Sequence, residues 1–188
     1  TFWSGLAFGK TADGTSLKRN ATGLKAYTGA DENLFLRGVG TTWQFGKFQA
    51  TGFFSHKNID GSVALDSTKD EVATITSFLT SGLHRTPSEL EKRKTLSETI
   101  FGGNLSFIQR NLRIGVTAVH YIFGTNYQRT DELYNRYEFN GKQNTNIGID
   151  YNYVFRNFNF FGETSVSANG SVATTNGLLL SVDPRITF

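Results

Sequence analysis

The chain has 188 residues, 38% hydrophobic and 14% aromatic, with 17 Phe, 20 Gly, 2 Pro and no Cys. The missing Cys excludes disulfides, thiolate metal sites and thiol nucleophiles in this segment, and a formal charge of +3 is too small to imply nucleic-acid binding by itself. No run of about 18 apolar residues could form a membrane helix. The mean hydropathy of −0.31 would suit a water-soluble protein, but strands with alternate residues facing lipid and water average to the same value.

The chain opens inside a strand-like run, Thr1-Phe2-Trp3-Ser4-Gly5-Leu6-Ala7-Phe8, and the first strand is expected over 1–9, followed by an excursion over 10–32. Strands over 33–45 and 48–57 fold about Gly46-Lys47. Phe45 then meets Phe48, Trp43 meets Ala50, Thr41 meets Gly52 and Val39 meets Phe54, while Gln44 faces Gln49 and Thr42 faces Thr51 on the other side. Residues 58–97 form one excursion. Val72 to Leu79 looks strand-like, yet counting it as a crossing would run two consecutive strands in the same direction. A structureless loop of this length is uncommon unless it is functional, so a cap or plug is expected. Within it Thr86-Pro87-Ser88-Glu89 is a capping box with Pro at the first helical position, which predicts a short helix over 87–95.

A second hairpin, 98–108 with 111–123, is expected to pair Phe107 with Leu112, Leu105 with Ile114, Gly103 with Val116 and Phe101 with Ala118, with Ser106 facing Arg113 and Asn104 facing Gly115. After an excursion over 124–142, the clearest hairpin joins 143–155 to 158–168 about Arg156-Asn157. Its apolar face pairs Phe155 with Phe158, Tyr153 with Phe160, Tyr151 with Gly162, Ile149 with Thr164 and Ile147 with Val166. Its polar face pairs Val154 with Asn159, Asn152 with Phe161, Asp150 with Glu163 and Gly148 with Ser165. A last excursion over 169–176 leads to a strand over 177–188.

Each hairpin places an apolar row, ending in aromatics beside a tight turn, on one face and a small, polar row on the other. Strands of 10 to 13 residues tilted near 40° project to roughly 25 to 33 Å, enough to cross hydrocarbon. The fold expected is therefore all-β: an antiparallel transmembrane β-barrel with about eight strands visible as part of a larger barrel, long extracellular loops and one short helix. Residues 1–188 read as a single barrel domain. Apolar residues at 178, 180, 182, 186 and 188 resemble a C-terminal barrel signal, but Pro184 interrupts the donor ladder. The chain is read as an internal piece of a longer protein. A soluble β-sandwich is the alternative fold.

Candidate chemistry is sparse. Asp150 and Glu163 fall opposite one another on the polar face, where like charges repel unless a cation intervenes. Such a pair could do acid/base work or join a wall-stiffening lumen charge network with Arg113, Asp183 and Arg185, or with Arg37. His84-Arg85 and Lys92-Arg93-Lys94 form the densest positive cluster. It reads either as a polyanion contact, to nucleic acid or lipopolysaccharide phosphate, or as a solvated helix face with pairs such as Glu89 with Arg93. His56, His84 and His120 lack metal-ligand spacing, and no phosphate loop or nucleophile elbow is found. No catalytic residue, metal or cofactor is assigned. Gly52, Gly103 and Gly162 on the apolar face are expected to let the sheet curve beneath large neighbours.

Several blocks carry a family resemblance: Phe2-Trp3-Ser4-Gly5-Leu6-Ala7-Phe8-Gly9-Lys10, Lys18-Arg19-Asn20, Ala26-Tyr27-Thr28, Glu32 and Phe35-Leu36-Arg37-Gly38. Further blocks are Ser81-Gly82-Leu83-His84-Arg85-Thr86-Pro87-Ser88-Glu89-Leu90, Gly102-Gly103-Asn104-Leu105-Ser106, Phe161-Gly162-Glu163, Asn176-Gly177-Leu178 and Asp183-Pro184-Arg185. Together they resemble the barrel region of the Bacteroidota helix-hairpin-helix domain proteins, relatives of the competence protein ComEA, over nearly the whole chain. The resemblance implies DNA-binding-type repeats upstream of the barrel, which are not in this sequence, and a barrel that continues past the position of Phe188.

The function expected is a non-enzymatic outer-membrane barrel, a conduit or receptor with a link to DNA uptake through regions outside this chain. The alternative is an accessory subunit whose barrel anchors a larger secretion or assembly complex. A lipid enzyme built on a barrel would need a Ser or His site at the membrane boundary, and none is identified. The partners expected are membrane lipids, lipopolysaccharide and other outer-membrane proteins.

Overall fold

The computed structural model describes residues 23–28, 35–65, 73–79, 84–127, 139–183 and 186–187. The strand expected over 1–9 lies outside them, as does most of the excursions over 10–32 and 124–142. Strand β1 (Gly38–Phe45) pairs antiparallel with β2 (Phe48–Ile59) about Gly46-Lys47, where Gly46 takes a φ of +57° that favours glycine. The chain then forms a small hairpin, β3 (Gly61–Leu65) with β4 (Ala73–Phe78), and a single-turn helix α1 (Pro87–Glu91). It returns in β5 (Leu96–Gln109), β6 (Leu112–Tyr127), β7 (Gly141–Phe155), β8 (Phe158–Ser167), β9 (Val172–Asp183) and a short β10 (Ile186–Thr187). The main strand order is β1-β2-β5-β6-β7-β8-β9-β10, every neighbour antiparallel.

The registers of the first and third hairpins are those read from the alternation, rung for rung. The middle hairpin differs. Gln109 pairs with Leu112 across the two-residue turn Arg110-Asn111, so Phe107 meets Ile114, Leu105 meets Val116, Gly103 meets Ala118 and Phe101 meets His120. Ser106 consequently lies opposite Gly115, and Asn104 opposite Thr117. A shift of two residues leaves every side chain on its own face, so polarity could not choose between the registers. The shorter loop adds paired rungs and belongs to the commonest hairpin class.

The expected loop at 169–176 is also shorter. The connection spans only 168–171, with Gly170 at a φ of +83° and Asn169 Oδ1 accepting from the Ser171 N–H at 3.0 Å. The residues after it, Val172-Ala173-Thr174-Thr175-Asn176, begin β9 and place the polar Thr174 and Asn176 on the apolar face. In the sheet those two positions bond sideways. Thr174 and Thr164 hydroxyls lie 2.9 Å apart, Asn176 Nδ2 donates to Thr174 Oγ1 at 3.0 Å, and Tyr151 OH donates to Asn176 Oδ1 at 2.9 Å. At the other end, 177–188 is not one strand: β9 stops at Asp183 before Pro184, which has no N–H to donate, and β10 folds back to pair Thr187 with Ser181.

Excursion 58–97 contains, within the strand-like segment 72–79, strand β4 (Ala73–Phe78), which is not a crossing of the sheet. It pairs with β3 and touches the end of β6 in parallel, Thr74 with Asn126 and Ile75 with Tyr127. Ile75 is fully buried against Ile59 and Leu96, with Phe78, Phe123 and Tyr127 around them. Ile59, Leu96 and Phe123 belong to the polar-face parity, so the hairpin packs over that side of the sheet. The helix keeps its predicted start but is shorter than 87–95. Lys92 caps it, and Lys94 at a φ of +53° turns the chain away toward β5.

Seven strands share one parity, so each face is continuous across β1, β2 and β5 to β9. One row runs Trp43, Ala50, Leu105, Val116, Ile149, Thr164, Thr174. Its larger members are open, Trp43 58% and Leu105 55% exposed. Toward the two-residue turns this face carries Phe45, Phe48, Phe107, Tyr153, Phe155, Phe158 and Phe160, with ring pairs such as Phe48–Phe107 at 5.2 Å and Tyr153–Phe160 at 6.4 Å. The polar face is the more enclosed one: Ser55 is 1% and Ser106 0% exposed. This is the reverse of a sheet that folds onto an apolar core.

The expected role of the outward glycines divides in two. A Cβ on Gly162 would lie 2.7 and 2.9 Å from Cε1 and Cζ of the Tyr151 ring and against the Asn176 side chain, whereas at Gly52 nothing lies within 4 Å. Gly162→Val should therefore cost about 1–3 kcal/mol by overpacking, while Gly52→Val should stay within about 0.5 kcal/mol of the parent. Equilibrium denaturation followed by tryptophan fluorescence tests the contrast; equal effects at both sites would contradict it.

Candidate functional site, a basic cleft at the loop end of the sheet

At its far end β2 reads Lys57-Asn58-Ile59 and gives way to Asp60, and the strand alternation sends Lys57 and Ile59 to the enclosed side. Lys57 is 8% exposed; its ammonium donates to the Phe35 carbonyl at 2.6 Å and lies 3.6 Å from Glu98 Oε1. The Phe35 ring sits 5.4 Å from both Lys57 Nζ and the Arg37 guanidinium carbon, so it supports two cations on its face.

Asp60 ties this end of the sheet to the helix. It is 4% exposed, with one carboxylate oxygen 2.8 Å from His84 Nε2 and the other accepting the Lys94 backbone N–H at 2.7 Å. The positive φ of Lys94 accompanies that second bond. Gly61 N–H donates to the Lys92 carbonyl at 3.1 Å, and the Thr95 hydroxyl donates to the Gly61 carbonyl at 2.8 Å. The segment after α1 is thus stitched to the junction of β2 and β3. Between them lies a cleft of about 160 Å³ lined by Phe35, Arg37, Lys57, Asn58, Asp60, His84, Arg93 and Lys94.

Of the residues singled out as a polyanion contact, His84, Arg93 and Lys94 line this cleft, while Arg85 and Lys92 do not. Arg85 contributes its backbone N–H to Glu89 Oε2 at 2.7 Å, and Lys92 is the helix C-cap. The sequence reading missed Arg37, Lys57 and Asp60 as cleft residues. They lie tens of positions from the helix, and nothing local marks them except the charged pair Lys57 and Asp60 at a strand's end. The expected Glu89–Arg93 pair is replaced by the capping box: the Glu89 carboxylate accepts from the N–H groups of Arg85 and Thr86 at 2.7 and 3.2 Å.

The proposed lumen charge network has a different geometry. Asp150 does lie opposite Glu163. Arg113 donates to Ser106 Oγ at 3.3 Å, and the Asp150 carboxylate occupies the space above Gly115. Among the described residues neither acid pairs with Arg113; the side chain of Asp183 and all of Arg185 lie outside those residues. The described residues contain no group of three or more His, Asp or Glu able to hold a metal. In comparisons with known proteins, no family model, no curated protein and no solved structure matches the chain.

Two outcomes follow from the stitching. Asp60→Ala removes two bonds to a buried carboxylate and should cost the local structure about 3 kcal/mol; faster tryptic cleavage after Lys92 and Arg93, and lost hydrogen-exchange protection at Lys94, would report it. The second concerns Glu89, whose pKa is held below the usual carboxylate value first by the Arg85 N–H, an effect that desolvation opposes, and then by the Thr86 N–H. A depressed folded pKa contributes stability that is present above the unfolded value and lost as pH falls through the folded one. Protection of the Arg85 and Thr86 amides should therefore fade in acid, and Glu89→Gln should abolish that pH dependence.

Proposed function

We propose that this chain forms part of the wall of an outer-membrane β-barrel and that residues 58–97 cap it at the loop end, the whole acting without enzymatic chemistry as a conduit or receptor. The observation that carries this reading is the continuous apolar outer face. From Val39, 75% exposed, and Phe45, 63%, across to Leu178, 52%, it stays open to solvent over seven strands. A soluble monomer rarely exposes more than a few hundred Å² of contiguous apolar surface. The belt of rings at the tight-turn end fits an interfacial aromatic girdle, and the polar, enclosed opposite face fits a lumen. The buried cluster of Ile59, Ile75 and Leu96 supports a cap that is anchored to the wall.

DNA handling through domains outside this chain is the specific version of the conduit reading. It rests on the resemblance to the helix-hairpin-helix family alone. A second reading, an accessory subunit whose barrel anchors a larger complex, draws on the inward Phe161, only 8% exposed, which points to a filled interior. The proposed partners are membrane lipids, lipopolysaccharide and, for the second reading, other outer-membrane proteins.

Trp43 provides a direct test, because Trp3 is the other of only two tryptophans. In a Trp3→Phe background, Trp43 emission should be blue-shifted and strongly quenched by brominated-chain lipids. Unquenched, water-like emission from folded protein would refute the membrane reading. Planar-bilayer conductance of the full-length parent, intact and with 58–97 deleted, separates the functions: opening of large currents on deletion, blocked by added DNA, supports the conduit, and silence from a folded, inserted barrel supports the anchor.

A further inference from the structure

We propose that the cleft between the end of β2 and the turn after α1 is a binding site for a dianionic phosphate group. Two arginines and two lysines, Arg37, Lys57, Arg93 and Lys94, line it together with His84, and among the described residues Asp60 is the one carboxylate in the lining. Asp60, which holds His84 Nε2 and the Lys94 N–H, and Glu98, 3.6 Å from Lys57, offset part of that charge. Among the described residues Arg37 and Arg93 form no ion pair with a carboxylate, and the Arg37 guanidinium is held over the Phe35 ring. Several positive charges brought to one concave site repel unless an anion enters, and the repulsion is largest when the cleft is least hydrated.

The shape selects the anion. About 160 Å³ holds one tetrahedral oxyanion with a few waters, the size of a single phosphate group. Guanidinium forks accept carboxylate and phosphate alike, and several cations converging on one cleft suit the three free oxygens and double charge of a phosphate. Phe35 supplies an apolar wall on which the carbon part of a phosphate monoester can rest. Asp60 has a positioning part: by holding the Lys94 backbone and the His84 ring it orients the cations without contacting the anion. The cleft opens at the end away from the aromatic turns, so the same chemistry is available from a soluble phosphate ester or a phosphorylated lipid headgroup. The proposal stands whether or not the sheet spans a membrane.

The test is calorimetric titration of the full-length protein, in a neutral sugar detergent free of phosphate, with inorganic phosphate as the probe. Saturable binding is expected. Arg93→Ala and Lys94→Gly should each weaken it about tenfold, Arg93→Lys should restore part of the loss, and Arg110→Ala at the opposite end should leave it unchanged. Lys94→Gly guards against unfolding, since glycine accepts the positive φ that Lys94 adopts. Competition by phosphatidylcholine bicelles containing phosphatidic acid would assign the group to a lipid headgroup, and failure to compete would assign it to a soluble ester; either result keeps the site. No saturable binding, or equal binding by the parent, Arg93→Ala and Lys94→Gly, would overturn it.

Discussion

The structure depends on one constraint: paired strand residues point to the same side, so the faces chosen by a single hairpin are inherited by every strand hydrogen-bonded to it. Backbone donors and acceptors must find partners, and in this meander each strand finds them on the next in chain order, except that β2 pairs with β5 and leaves β3 and β4 in the excursion. The face that holds Trp43 in β1 therefore holds Leu178 in β9, six strand pairings away. No interaction between distant side chains is needed to keep the apolar face continuous.

Such a face tolerates polar groups only when they bond to each other. Tyr151, Asn176, Thr174 and Thr164 do so in a chain across three strands, and Gly162 supplies the bare backbone that lets the Tyr151 ring and the Asn176 amide approach. On the proposed membrane reading, this arrangement spares lipid contact with unsatisfied donors. The His120 ring, 2.7 Å from Thr145 Oγ1, follows the same rule farther along the outward parity.

The excursion depends on a different device. Its hairpin is held by a three-residue apolar cluster, and its helix is too short to be stable alone. Burying Asp60 at the end of β2 and binding it from both sides of the helix, by His84 before it and the Lys94 N–H after it, joins the helix segment to the sheet. With the bond from Lys57 to the Phe35 carbonyl, these contacts gather cations from three distant stretches of chain, 35–37, 57–60 and 84–94, into one cleft. A charge excess that looks modest over the chain thus becomes a strong local field.

The sequence by itself determined what alternation and turn chemistry specify. The two faces, the rungs about Gly46-Lys47 and Arg156-Asn157, and the capping box at Thr86 were all legible, because each rests on residues within about twenty positions of one another. The register about Arg110-Asn111 was not, since a slip of two preserves polarity and only the full set of backbone bonds selects the shorter loop. The start of β9 was hidden because Thr174 and Asn176 look like loop residues until Thr164 and Tyr151 stand beside them. The cleft was half legible: His84, Arg93 and Lys94 are a visible charge cluster, but Arg37, Lys57 and Asp60 join it only through the junction of β2 with the excursion. Tertiary structure decided that part, because a buried carboxylate takes its partners from whatever the fold brings within hydrogen-bond reach.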